Sequence, residues 1–214
     1  PSREVAEHRM KAIGFFGGVH GLERIGADVV LAFLRSLVKR LRWDSVLHEQ
    51  LQKLRLVFMP LVNPGGLWLG TRANPSGVDL MRNAPMEAIE PVPFLLGGQR
   101  YSPGLPWYRG VEGSPMEAEA AALCAFVEEE LLSRRFSIAV DCHSGFGTDD
   151  RIWFPYAHTV QPIANLPDIH ALQTIFEQPH AHRRRPALCG VAGVLRPGEI
   201  REDLRQADHQ QHPA

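Results

Sequence analysis

Two short apolar runs, each stopped by glycines, bracket one helical stripe, and this order restricts the fold more than any other feature. Lys11–Phe16 (KAIGFF) is closed by Gly17-Gly18, and Leu54–Val62 (LRLVFMPLV) by Asn63-Pro64-Gly65-Gly66. Runs of that length ended by turn residues read as buried strands. Between them, Ile25, Val29, Val30, Phe33, Leu34, Leu37, Val38 and Leu41 recur at helical spacing, and Lys39, Arg40 and Arg42 suit the negative end of a helix dipole. Strand, helix, strand implies an α/β fold with a mixed, mostly parallel sheet flanked by helices.

Further along, the spacing predicts a helix from Ser114 to about Ser133, with Ser114 as N-cap and Glu117 completing a capping box. Phe136–Cys142 (FSIAVDC) reads as a third strand, Arg151–Phe154 as a short fourth, and Asp168–Gln178 as a helix. The stretch from Asn63 to about Tyr108 is rich in Gly, Pro and Asn. Long irregular segments in a compact domain tend to carry function.

The 214 residues suit one domain. With 44% hydrophobic and 22% charged residues the composition is globular, and a net charge of −1 offers no field to attract nucleic acid or an anionic membrane. No apolar run is long enough to span a bilayer, and no leader-like segment opens the chain. Three cysteines, Cys124, Cys142 and Cys189, make no disulfide framework, so reduced thiols and a cytoplasmic setting are expected.

The chemistry gathers at the strand ends. His20 and Glu23 follow the first strand and open the helix, and His143 ends the third strand. Ligands of open α/β sheets bind at that edge. Two histidines, one glutamate and a vacant fourth position form a catalytic zinc set. Asp141, two residues before His143, falls on the same strand face and suits either an orienting partner or a local loop acceptor.

Gly18-Val-His-Gly-Leu-Glu23, Asn63-Pro64-Gly65-Gly66, Thr71-Arg72, Gly77-Val-Asp-Leu-Met-Arg-Asn83 and Asp141-Cys-His-Ser-Gly145 together resemble the zinc carboxypeptidases of the M14 type. The resemblance runs from Ala12 to about Gln178. It implies that His20, Glu23 and His143 hold zinc, and that Arg72 stabilises the oxyanion. It further implies that Arg82, beside Asn83, grips the carboxylate of a peptide substrate. Asp79 is expected to order its loop.

The chain departs from the family pattern in three places. Met81 replaces the usual Asn before Arg82, Leu69 follows Trp68 where an Arg is common, and no Glu stands in the general-base context. Neither Glu177 nor Glu199 is assigned that role. The last 36 residues hold six Arg, four His and four Pro without an aromatic residue. They read as an aberrant tail, so residues 1–178 are expected to form an incomplete catalytic domain whose last strands are missing. The resulting expectation is a zinc carboxypeptidase with impaired turnover. Its alternatives are a deacylase of N-acyl amino acids, like the succinylglutamate desuccinylase and aspartoacylase group, and a dead binding module. The expected partner is a peptide or small amide with a free carboxylate.

Overall fold

The computed structural model describes residues 10–93, 97–144, 151–154, 158–177 and 189–195. Strand β1 (Lys11–Gly17) leads into helix α1 (Arg24–Arg40), the short helix α2 (Ser45–Leu51) and strand β2 (Leu54–Met59). Helix α3 (Pro64–Leu69) opens the irregular region, which ends at α4 (Ala118–Val127). A π-helical turn, Glu128–Leu132, continues α4 into strand β3 (Ser137–His143). Strand β4 (Arg151–Trp153), helix α5 (Leu166–Glu177) and strand β5 (Cys189–Leu195) follow.

The sheet order is β2-β1-β3-β5-β4. β1 pairs in parallel with β2 and β3, β5 runs antiparallel to β3, and β4 is parallel to β5. The sheet is thus mixed and mostly parallel. Alternation along β1 explains how it is covered on both faces. Phe16 points to one face, where Ala12, Val57 and Leu131 are buried and Phe126 meets it edge-on. Phe15 points to the other face and packs against Phe58 and against Phe33 of α1. Helix α1 therefore lies on one face and the α4 segment on the other.

Two sequence expectations need correction. Ser114 does not cap a helix. The helix begins at Ala118, and Glu117 is its N-cap in an extended conformation without a side-chain cap bond. The Glu117 carboxylate accepts a hydrogen bond from Asn74 Nδ2 and its backbone N–H donates to Asn83 Oδ1, so the segment is tied to the irregular loop instead. The tail also contains a strand. β5 lies within it and is paired on both sides, against β3 and β4. The rest of the tail, including Glu199, lies outside the described residues.

Candidate metal centre

The turn after β1 carries two of the three candidate ligands. Gly18 has φ +62°, a conformation that favours glycine, and its carbonyl accepts from Asn63 N–H. Val62 N–H donates to Gly17 in the same way, so the turns after β1 and β2 are strapped together. Asn63 is fully buried, and its side chain bonds Gly66 N–H, Val19 O and Arg72 O. His20 and Arg72 are thereby held by one common support.

Glu23 occupies the N-cap position of α1 but makes no capping bond. Its carboxylate turns towards the sheet. His20 Nδ1 lies 2.8 Å from Glu23 Oε1, and His143 Nδ1 lies 3.2 Å from Glu23 Oε2. Ser144 N–H also donates to Oε2, at 2.8 Å. Candidate ligand atoms of the three residues lie within 4.8 Å of one another, and all three residues are buried. Among the described residues this is the group placed to hold a metal ion.

The donor set fits zinc. Tetrahedral bonds of about 2.1 Å put neighbouring ligand atoms about 3.4 Å apart. The Nδ1-to-carboxylate separations fall close to that value. Each histidine also turns its other nitrogen to a second carboxylate. His143 Nε2 is 2.6 Å from Asp141 Oδ2, and His20 Nε2 is 3.5 Å from Asp79 Oδ1. The Asp141 contact fixes the His143 ring and its tautomer, leaving Nδ1 to face a metal, whereas His20 Nε2 has no hydrogen-bond partner among the described residues.

The electrostatics follow from this packing. Burial opposes ionisation of Glu23, but His143, His20 and the Ser144 amide outweigh it and hold the carboxyl well below its usual range. Burial likewise opposes a charged His143, yet Asp141 and Glu23 push its pKa up to about 9. Asp79 is lowered to about 2 because His20, Arg72 and Arg82 together overcome its burial. Burial and the neighbouring Asp141 raise the Cys142 thiol to about 11, so it is no nucleophile near neutral pH.

Asp79 joins the ligand group to the two arginines singled out by sequence. Arg72 Nε donates to Asp79 Oδ2 at 3.0 Å, and Arg72 also lies 3.7 Å from Glu23 Oε1. Arg82 approaches the same Asp79 oxygen at 3.7 Å. The sequence reading gives Asp79 only a loop-ordering part, and the structure adds this bridging one. Asp79 does order the loop as well, accepting from Met81 N–H. Its spacing of three from Arg82 was the available signal. Asn83 does not join the group. Its Nδ2 donates to Arg109 O and its Oδ1 accepts from Glu117 N–H.

The two histidines and the glutamate gather just beyond the carboxyl ends of the adjacent parallel strands β1 and β3, the edge at which ligands of open α/β sheets bind. The chain belongs to the zinc carboxypeptidase family, whose profile matches residues 2–204. That match runs past Gln178, where the sequence reading ends the resemblance. Carboxypeptidase SOL1 of Arabidopsis thaliana is 30% identical over 74 residues, which are 35% of this chain and 15% of that protein. Among solved structures, an aspartoacylase family protein from Mesorhizobium loti is 16% identical with a TM-score of 0.41, over 95% of this chain and 57% of that one. Murein-tripeptide amidase MpaA from Escherichia coli O157 is 20% identical with a TM-score of 0.39, over 96% of this chain and 83% of that one. The matched stretch is thus a small part of the plant protein and just over half of the Mesorhizobium one. No described helix is long and apolar enough to cross a membrane.

Proposed function

We propose that this chain forms the zinc site of an amide hydrolase whose substrate carries a free carboxylate beside the scissile bond, as at the C-terminus of a peptide. The observation that carries the reading is the buried His20–Glu23–His143 group with a carboxylate behind each histidine. Zinc bound there would polarise a carbonyl and acidify a water molecule.

The chain's own residues would do the rest. Asp141 keeps a proton on Nε2 of His143, so that Nδ1 serves as ligand, and the Asp79 charge lies beside His20 Nε2. Arg72, steadied by Asp79, is a fixed cation for charge developing on the carbonyl oxygen. Arg82 is the anchor for the substrate carboxylate. Asn83 acts through the loop, since both ends of its amide are engaged by backbone. Among the described residues, no glutamate other than Glu23 bonds to this group.

A second reading has one observation in its favour. Asp141-Cys-His143 and Asp79-Leu-Met-Arg82 match the patterns of the N-acyl amino acid deacylases as well as those of the carboxypeptidases. Either substrate is a peptide or small amide that carries a free carboxylate.

Zinc stoichiometry and a substrate panel test the proposal together. The parent chain should bind one zinc, and H20A and H143A should bind none. Blocked dipeptides should release their C-terminal residue faster than N-acyl amino acids are cleaved. Zinc loading that survives both substitutions would sink the proposal, and the opposite substrate order would move it to the deacylase reading.

A further inference from the structure

Trp107 has φ +61° and is the non-glycine residue with a left-handed backbone among the described positions. A bulky side chain rarely takes that conformation, and it persists only where the surroundings impose it. The surroundings here do so in detail. Gln99 is buried at 3% exposure, and its amide nitrogen donates to Ser102 O and Leu105 O. Its amide oxygen accepts from the N–H groups of Tyr101 and Ser102. Gln99 N–H then donates to Trp107 O at 3.0 Å. The loop is also fastened to the turn that carries Arg82. Asp79 N–H donates to Tyr108 O, Arg109 Nε donates to Arg82 O, and Asn83 Nδ2 donates to Arg109 O.

The Trp107 ring so held faces the Arg82 guanidinium, 6.0 Å from Cζ to the ring centroid. The stem of Arg82 is pinned on another side by Gly98, where an added Cβ would come within 2.8 Å of Arg82 Cγ. Yet among the described residues no acceptor comes within hydrogen-bond distance of the Arg82 guanidinium, and the nearest carboxylate oxygen, on Asp79, is 3.7 Å away. An acidic neighbour would fix the guanidinium by occupying its N–H groups. An aromatic face fixes it and leaves those donors open.

We propose that Trp107 is a positioning residue, which holds the Arg82 guanidinium against its ring so that the N–H fork is presented to a substrate carboxylate. The strained backbone is the means by which the loop delivers the ring to that place. This inference rests on the reading of Arg82 as the carboxylate anchor.

The test is calorimetric binding of N-acetylglycine to the zinc-loaded chain, with N-acetylglycinamide as the ligand lacking a carboxylate. W107G and W107N remove the ring but accept the left-handed backbone. Both are compared at matched melting temperature with the parent. W107F keeps an aromatic face. W107G and W107N should weaken N-acetylglycine binding about 3- to 10-fold. W107F should stay within about 2-fold, and the amide should bind all four proteins alike. If R82A weakens the carboxylate ligand while W107G and W107N do not, Trp107 has no positioning role and the Arg82 reading stands. If R82A binds as the parent does, the Arg82 reading falls and the inference falls with it.

Discussion

His20 and His143 are each backed by an aspartate, but the two aspartates are differently occupied. Asp141 meets His143 at 2.6 Å, whereas Asp79 stands 3.5 Å from His20 and divides its charge between two guanidinium groups. D141N should therefore lower zinc affinity by about 10- to 100-fold, as measured by competition with a chelator, and should do so more than D79N. D79N should instead lower stability by about 1–3 kcal/mol in urea denaturation, because it leaves Arg72 and a buried ring nitrogen poorly compensated. Equal zinc losses in the two variants would show that the difference in distance has no consequence. The ligands themselves were legible, since His20 and His143 follow or end a strand beside a turn-forming glycine or serine and Glu23 opens the helix after the first of them. Asp79 was less so. Its partners come from a distant turn and from its own loop, and spacing along an irregular segment does not reveal which side chains meet.

At the scale of elements, the contact of α1 with β3 governs how Glu23 reaches His143. A Cβ on Gly26 would come 2.1 Å from the Cys142 carbonyl oxygen, and the clash is with backbone rather than a movable side chain. G26A should push α1 off the strand, costing about 1–3 kcal/mol, and should lower zinc affinity in the same titration. Full zinc affinity in a destabilised G26A would mean that helix and ligand move independently. A second tie links β2 to the π-helical turn through Arg55 and Glu130, at 2.6 and 2.7 Å. The Arg55 hydrogen bond outweighs an opposing burial cost and holds Glu130 below its usual 4.5. A lowered carboxyl stabilises fully above that value, and the stabilisation is lost as pH falls through the lower folded-state value. Arg55 is 41% exposed, so solvent screens the pair to about 0.5–1 kcal/mol. E130Q should flatten the acid side of the stability profile by that amount.

The elements that sequence reading found are those whose pattern is local. β1, α1 and β2 carry their own periodicity and stop signals. The start of α4 was misplaced because Ser114 and Glu117 fit a capping box in sequence while Asn74 and Asn83 claim Glu117 in space. β5 was missed because CGVAGVL has two glycines, no polar–apolar alternation and basic neighbours. Hydrogen exchange checks its pairing. The amides of 190–194 should be protected to the extent seen in β3.

For the molecule as a whole, the ligand set joins residues 120 positions apart, so metal binding is coupled to folding of the chain between them. Zinc at 100 times its dissociation constant should add about 2.7 kcal/mol to stability, and a chelator should remove it. H143A should show no such gain in a thermal scan.

The place of β5 in the sheet has a further consequence, for biosynthesis. Chains emerge from the ribosome N-terminus first. All three ligand residues precede β5, yet β5 covers the edge of β3, the strand that ends in His143. A nascent chain can therefore assemble its metal centre while that edge still lies open. In that interval the bare edge of β3 can pair with a second chain, and the arrival of β5 ends that exposure of the ligand-bearing strand.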